Sequence, residues 1–197
     1  MKLVSHDFAQ GAVIPEEFAW GRLEAGRTVR AANRSPHLAW SGVPEGTRSF
    51  VVACLDDDVP TDRSALDAQG EIPACQPRRR FVHLVLADCP AGVRELPSGA
   101  LTGDSCRWGR PGLNDYCGGR APEAGEPGRG YDGPCPPAID ARWHVYRYTV
   151  IALDVPSLSL PADFEWADAE RAMRGHVLAT AELLGRYSLN PALRSGD

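Results

Sequence analysis

The 197-residue chain has no uniformly apolar stretch as long as a bilayer is thick, and its first residues, Met1-Lys2-Leu3-Val4-Ser5-His6-Asp7, lack the apolar segment of a signal peptide. No membrane span is expected, and the expected compartment is the cytoplasm. There is no surplus of positive charge. Lys plus Arg number 21 against 26 Asp plus Glu, a net charge of −5, so a nucleic-acid backbone would be repelled overall. Closely spaced cysteines are missing as well. Cys54, Cys75, Cys89, Cys106, Cys117 and Cys135 lie 11 to 21 residues apart, too far for one turn to present two thiolates to zinc. An even number would suggest disulfides in a secreted chain, but the expected compartment favours reduced thiols. Walker loops, G-x-S-x-G elbows and H-E-x-x-H helices are absent. We therefore expect no metal, no cofactor and no recognisable catalytic constellation.

What is present fits one β domain spanning residues 1–197. Hydrophobic residues make up 43% of the chain, enough to bury a substantial core at this length. The apolar runs are short and separated by clusters of the 20 Gly and 17 Pro. Ser49 to Leu55, Arg80 to Leu86 and Trp143 to Leu153 are rich in β-favouring residues and read as central strands. Long polar segments, Thr61 to Arg79 and Pro97 to Arg142, separate them. From Glu165 to Leu184, Trp166, Ala169, Met173, Val177, Thr180 and Leu184 recur at helical spacing, with Gly185 as the stop. The expected architecture is a mainly β, Greek-key-type sandwich of two sheets with peripheral helices, including this C-terminal helix.

One motif fails on context. Gly128-Arg129-Gly130-Tyr131-Asp132-Gly133 matches G-x-G-x-x-G, but Pro134-Cys135-Pro136-Pro137 follows it. Those prolines cannot continue into the helix whose amides would hold a pyrophosphate. The dinucleotide reading is rejected.

Polar residues at strand ends form a better candidate site. Asp56-Asp57-Asp58-Val59-Pro60 closes the first strand, His83 lies inside the second, and His144 and Tyr146 open the third. Residues two apart on a strand share a face, so His144 pairs with Tyr146 and Phe81 with His83. A buried histidine is costly unless paired, and an aspartate at a neighbouring strand end would hold its ring and raise its pKa. Two imidazoles and a phenol would then offer donors to phosphate, sulfate or carboxylate oxygens. Taken singly, a strand histidine is more often a hydrogen-bonded core residue than a ligand-binding one, and the acidic run could be a solvated turn. His6, His37 and His176 read as structural or surface residues.

In order, Asn33-Arg34-Ser35-Pro36-His37-Leu38-Ala39-Trp40, Asp56-Asp57-Asp58-Val59-Pro60, Phe81-Val82-His83, Gly130-Tyr131-Asp132-Gly133-Pro134-Cys135-Pro136-Pro137 and His144-Val145-Tyr146 resemble the phosphatidylethanolamine-binding protein family, in its bacterial, Raf kinase inhibitor-like branch. The resemblance implies a β-sandwich with a small pocket for phosphate-like groups, including phospholipid headgroups in eukaryotic relatives. Carried over by position, it implies that Asp56, Asp58, Pro60, Phe81, His83, Tyr131, Gly133, Cys135, Pro136, His144 and Tyr146 line or shape that pocket. Asp56, His83, His144 and Tyr146 would carry most of the polar recognition. The usual D-P-D-A-P has become Asp56-Asp57-Asp58-Val59-Pro60, losing a proline, and Phe81 stands where Trp is frequent.

The leading expectation is a binding protein for a small anionic or phosphate-bearing ligand, modulating a kinase or protease partner by family analogy alone. A hydrolase using a His/Asp pair and a protease inhibitor docking through Pro97 to Arg142 are the alternatives. A homodimer is expected from the resemblance.

Overall fold

The computed structural model describes residues 1–102, 106–118 and 128–195, so part of the predicted Pro97 to Arg142 loop lies outside the described residues. In chain order the strands are β1 (Lys2–Val4), β2 (Gly21–Glu24), β3 (Arg27–Arg30), β4 (Leu38–Ser41), β5 (Ser49–Pro60), β6 (Arg78–Pro90), β7 (Glu95–Leu96), β8 (Arg110–Pro111), β9 (His144–Leu153) and β10 (Val177–Tyr187). Helix α1 (Trp166–Ala172) separates β9 from β10, and α2 (Pro191–Arg194) follows.

The three predicted central strands grow into β5, β6 and β9. They lie side by side in an antiparallel sheet of order β10-β9-β5-β6-β8. Both faces of this sheet are covered, which is why its strands read as continuous apolar runs rather than alternating ones. Val52, Cys54, Leu84, Leu86, Tyr148 and Val150 meet Leu3, Leu38, Trp40 and Leu96 of a second sheet, β1-β4-β7. Val51, Val85, Ala87 and Ile151 turn the other way, against Phe164, Ala169 and Met173 beneath α1. The result is the mainly β sandwich that the pattern implies.

The helix predicted from Glu165 to Leu184 is corrected. α1 ends at Ala172, Gly175 takes φ 83°, and the chain returns as β10, antiparallel to β9. Ala169 and Met173 are buried in helical phase. Beyond the turn, Ala181, Leu183 and Tyr187 are buried at period two, while Val177 is 49% exposed. Gly185 is no helix stop; it lies inside β10, where a Cβ would stand 2.5 Å from Ile14.

Two irregularities in the β5–β6 pairing prepare the site. Leu84 opposes Cys54 but Val82 opposes Leu55, so β6 carries an extra residue at His83. Without this bulge His83 would stay in step with Val85 and Ala87 and face α1. A second irregularity separates the pairs Asp56–Phe81 and Val59–Arg79 at the end of β5.

Candidate functional site

At one end of β5, β6 and β9 the face that packs the sandwich core turns polar. Asp56 follows Cys54 on β5 and pairs in register with Tyr146 on one side and Phe81 on the other. A cavity of about 170 Å³ opens there. Its wall brings together seven of the predicted residues, Asp56, Phe81, His83, Cys135, Pro136, His144 and Tyr146, with Val59, Arg63, Tyr116 and Pro137.

The two histidines are held in opposite ways. His144 Nδ1 lies 2.7 Å from Asp56 Oδ2, and its Nε2 lies 3.1 Å from Asp140 Oδ2. Burial disfavours its cation, but hydrogen bonds to Asp140 and Asp56 outweigh that and raise its pKa from 6.5 to about 9. Asp140 is in turn gripped by the Arg78 guanidinium. Burial works against ionising the Asp140 carboxyl, yet His144 and Arg78 hold its pKa below the ordinary value. His144, Arg78, Asp56 and Asp140 thus make a buried set of two cations and two carboxylates, each group paired.

His83 has no such partners. Its Nδ1 donates to the Asp132 carbonyl at 2.7 Å, which fixes the tautomer. Its Nε2 is buried without a hydrogen-bond partner among the described residues, 4.0 Å from Asp56 Oδ2. Burial lowers its pKa, opposed by the Asp56 charge and the Asp132 hydrogen bond. The Tyr146 ring stands edge-on to His83 and stacks beside His144.

Buried Asp132 sets the far wall. Its carboxylate accepts from Asn33, Asn114 and the Gly128 amide, and its own amide donates to the His83 carbonyl. The G-x-G-x-x-G segment is therefore an irregular strap pinned to β6. Beyond it the Pro134 carbonyl accepts from the Trp20 and Gly21 amides, holding the Cys135-Pro136-Pro137 wall in place.

Comparison with known proteins bears on this arrangement directly. The family described as phosphatidylethanolamine-binding protein matches residues 4–188. The chain belongs to the phosphatidylethanolamine-binding protein family. A UPF0098 protein of Aquifex aeolicus is 33% identical over 95% of this chain and 88% of its own. YbhB of Escherichia coli, also a UPF0098 protein, is 31% identical over 95% and 100%. Among solved structures, Escherichia coli YbcL, described as a member of the mammalian family, superposes with a TM-score of 0.69 at 25% identity, covering 95% of this chain and 97% of that one.

Against the positions that family resemblance supplied, four residues do not reach the cavity wall. Tyr131 is 1% exposed and its hydroxyl is shared between the Phe18 carbonyl and Tyr148. Gly133 is pressed so near Phe18 that a Cβ would stand 2.2 Å from its carbonyl oxygen. The Asp58 carboxylate turns away to the Val145 amide and Arg142, and Pro60 lies beyond the second irregularity, opposite Arg78. Tyr131 and Gly133 sit behind the wall, against Phe18. The reading that His144 offers donors to a ligand is also corrected, because both of its ring nitrogens are taken by carboxylates. Pro137 belongs to the Gly133 to Pro137 turn that the sequence offers as a stiff wall; of the wall residues the sequence did not single out, Val59 lies inside the acidic motif and Arg63 in the loop after it. Tyr116 comes from a 3₁₀ turn, Asp115–Cys117, capped by Asn114; an Asn-Asp pair in a long loop signals a turn but not a destination.

Proposed function

We propose that this protein binds a small anionic, phosphate-bearing group in the cavity between Asp56, His83 and Tyr146. The observation that carries the reading is His83 Nε2, on the cavity wall, in a residue 3% exposed and without a hydrogen-bond partner among the described residues. A buried group of that kind costs stability unless something completes it. An anion oxygen does so once Nε2 takes a proton, and the Tyr146 hydroxyl and Arg63 supply further donors around it, the Tyr116 hydroxyl being given to the Gly133 carbonyl. His144, Asp56, Asp140 and Arg78 already hold one another, which leaves His83 as the buried group that responds to the guest.

Hydrolysis with His144 as general base has less support, since that histidine has no nitrogen free to take a proton from water; with His83 as the base it predicts ester turnover, which binding alone does not. The inhibitor reading rests on a loop partly outside the described residues, and a kinase or protease partner rests on family analogy alone. Six free thiols support a reducing, cytoplasmic setting. No described helix is long and apolar enough to cross a membrane. We also propose a homodimer, paired through the open edge of β10, where Val177 and Leu178 are exposed.

Calorimetric titration with sulfate tests the site, because sulfate keeps its charge where phosphate titrates. Affinity is expected to strengthen as pH falls from 8 to 5.5, since His83 enters the free protein neutral and binding must protonate it. Affinity that is flat with pH, or absent, overturns this reading.

A further inference from the structure

At the β8 edge of the large sheet two cysteines lie on adjoining backbone segments. Cys89, near the end of β6, is fully buried with Leu86 in the sandwich core. Cys106 precedes β8 and packs half-buried against the same core, as Trp108 does. The antiparallel pairs Leu86–Pro111 and Ala87–Arg110 set the two segments side by side. Gly109 comes so close that a Cβ would stand 3.2 Å from the Cys89 amide nitrogen and 2.5 Å from the Ala87 carbonyl oxygen. A turn leads from there back to Cys106, whose Sγ accepts from the Trp108 and Gly109 amides. The sulfur is therefore folded over the residue that touches Cys89.

The two thiols act on each other. Burial pushes the Cys89 thiol up to about 12, and negative charge on Cys106 adds to that. The remaining cysteines have other surroundings: Cys54 is hydrogen-bonded to Tyr148, Cys75 is exposed, Cys117 lies against Gly128, and Cys135 lies against Gly21. Oxidants reach the accessible sulfur of a pair first, and a neighbouring thiol resolves the product. Here Cys106 is the accessible sulfur and Cys89, with no exposure, the resolving one.

We propose that Cys89 and Cys106 form a peroxide-responsive thiol pair, closing a disulfide that staples the segment before β8 to β6. The Cys106 thiolate attacks one peroxide oxygen, the O–O bond breaks, and the departing hydroxide takes up the thiol's proton, leaving water and a sulfenic acid. The Cys89 sulfur then attacks the Cys106 sulfur, the S–O bond breaks, and the leaving hydroxide carries off the Cys89 proton as water. Two thiols and one peroxide become one disulfide and two waters, and a dithiol reductant restores the thiols.

Near-stoichiometric hydrogen peroxide on the folded, reduced protein tests it, with free thiols alkylated before trypsin. Cleavage puts Cys89 and Cys106 in separate peptides, 81–94 and 95–107, each with a single cysteine. The expected product is these two peptides joined, from a protein lighter by two hydrogens, with the link removed by dithiothreitol. The bond joins positions 17 residues apart, and by restricting the unfolded chain it should raise the melting temperature by about 5–10 °C. Cys106→Ser, whose hydroxyl can accept from the same two amides, should fold, lose the link and show no peroxide-dependent rise. Cys89→Ala should hold the sulfenic acid at Cys106, where dimedone traps it, and Cys75→Ser should oxidise as the wild type does. Both peptides recovered with free thiols, a link to any other cysteine, Cys106 overoxidised beside a free Cys89, a link that forms only in urea, or a link without the rise in melting temperature overturns the proposal. Sulfate binding is a separate measurement and leaves the thiol pair untouched.

Discussion

His83 and His144 both face Asp56, yet their surroundings drive their protons apart, and that difference can be measured. With a folded pKa of about 9 against 6.5 in the unfolded chain, His144 contributes stability that is fully present below pH 6.5 and lost as pH rises through about 9. The shift corresponds to about 3 kcal/mol. His83 has the opposite sign, since its folded pKa lies below 6.5; its contribution is present above 6.5 and lost as pH falls below that. Urea unfolding is therefore expected to show the joint contribution of the two greatest near pH 6.5, with the alkaline loss missing in His144→Gln. His144→Ala should lower stability by about 3–5 kcal/mol, because it strands Asp56 in the interior, while Asp140 keeps Arg78. His83→Asn separates site from scaffold. An amide can still donate to the Asp132 carbonyl, so melting should change little while sulfate affinity falls at least about tenfold. Sulfate affinity equal to wild type in this variant would remove His83 from the site. The identities of Asp56, His83 and His144 were legible from strand spacing and family motifs. That an aspartate at a neighbouring strand end holds one histidine was legible too; the contacts to Asp140 and Asp132 were not, because those residues come from an irregular segment that no periodicity places.

At the scale of elements, direction depends on single residues that interrupt regular structure. The bulge at His83 sends that side chain to the core face, and no alternation pattern in Arg80 to Leu86 announces it. Periodicity misled the C-terminal reading for a related reason. Val177, Thr180 and Leu184 fit a helical stripe, but the same segment has Ala181, Leu183 and Tyr187 at period two, and Arg174-Gly175 was passed over as a helix stop. The strands β5, β6 and β9 were legible because burial on both faces makes a run apolar whatever its phase. The wall segment offers the test at this scale. Gly133→Ala drives a methyl into the Phe18 backbone, which cannot rotate away as a side chain would, and is expected to destabilise by about 1–3 kcal/mol while weakening sulfate binding. Gly92→Ala, with nothing within 4 Å of its Cβ, should stay within about 0.5 kcal/mol of wild type. Equal stability of the two variants would show that the wall is free to shift.

At the scale of the whole molecule, the two ends of the large sheet are finished differently. β8 is only two residues long, which leaves little edge to pair. β10 runs for eleven residues, and its C-terminal half is closed by residues 10–14, whose backbone takes up the Leu184 carbonyl and both backbone groups of Arg186. Continuing that alternation, Thr180 and Glu182 turn their N–H and C=O groups outward, and no backbone partner meets them among the described residues. Val177 and Leu178 are 49% and 41% exposed beside this open stretch, with Val4 of β1 at 37% across a neighbouring groove. An open edge flanked by apolar side chains is what a second copy can pair with about a twofold axis. An axis through Ala181 sets each Glu182 opposite the other chain's Thr180, so like charges are not opposed. Static light scattering at micromolar concentration is expected to give twice the 21.3 kDa of one chain. Thr180→Pro removes an amide that faces outward and leaves the β9 ladder intact, so it should yield a monomer with nearly the wild-type melting temperature and unaltered sulfate affinity. A wild-type monomer, or a dimer that survives Thr180→Pro, rules out pairing through this edge; the anion site, built within one chain at the far end of β9, stands in either case.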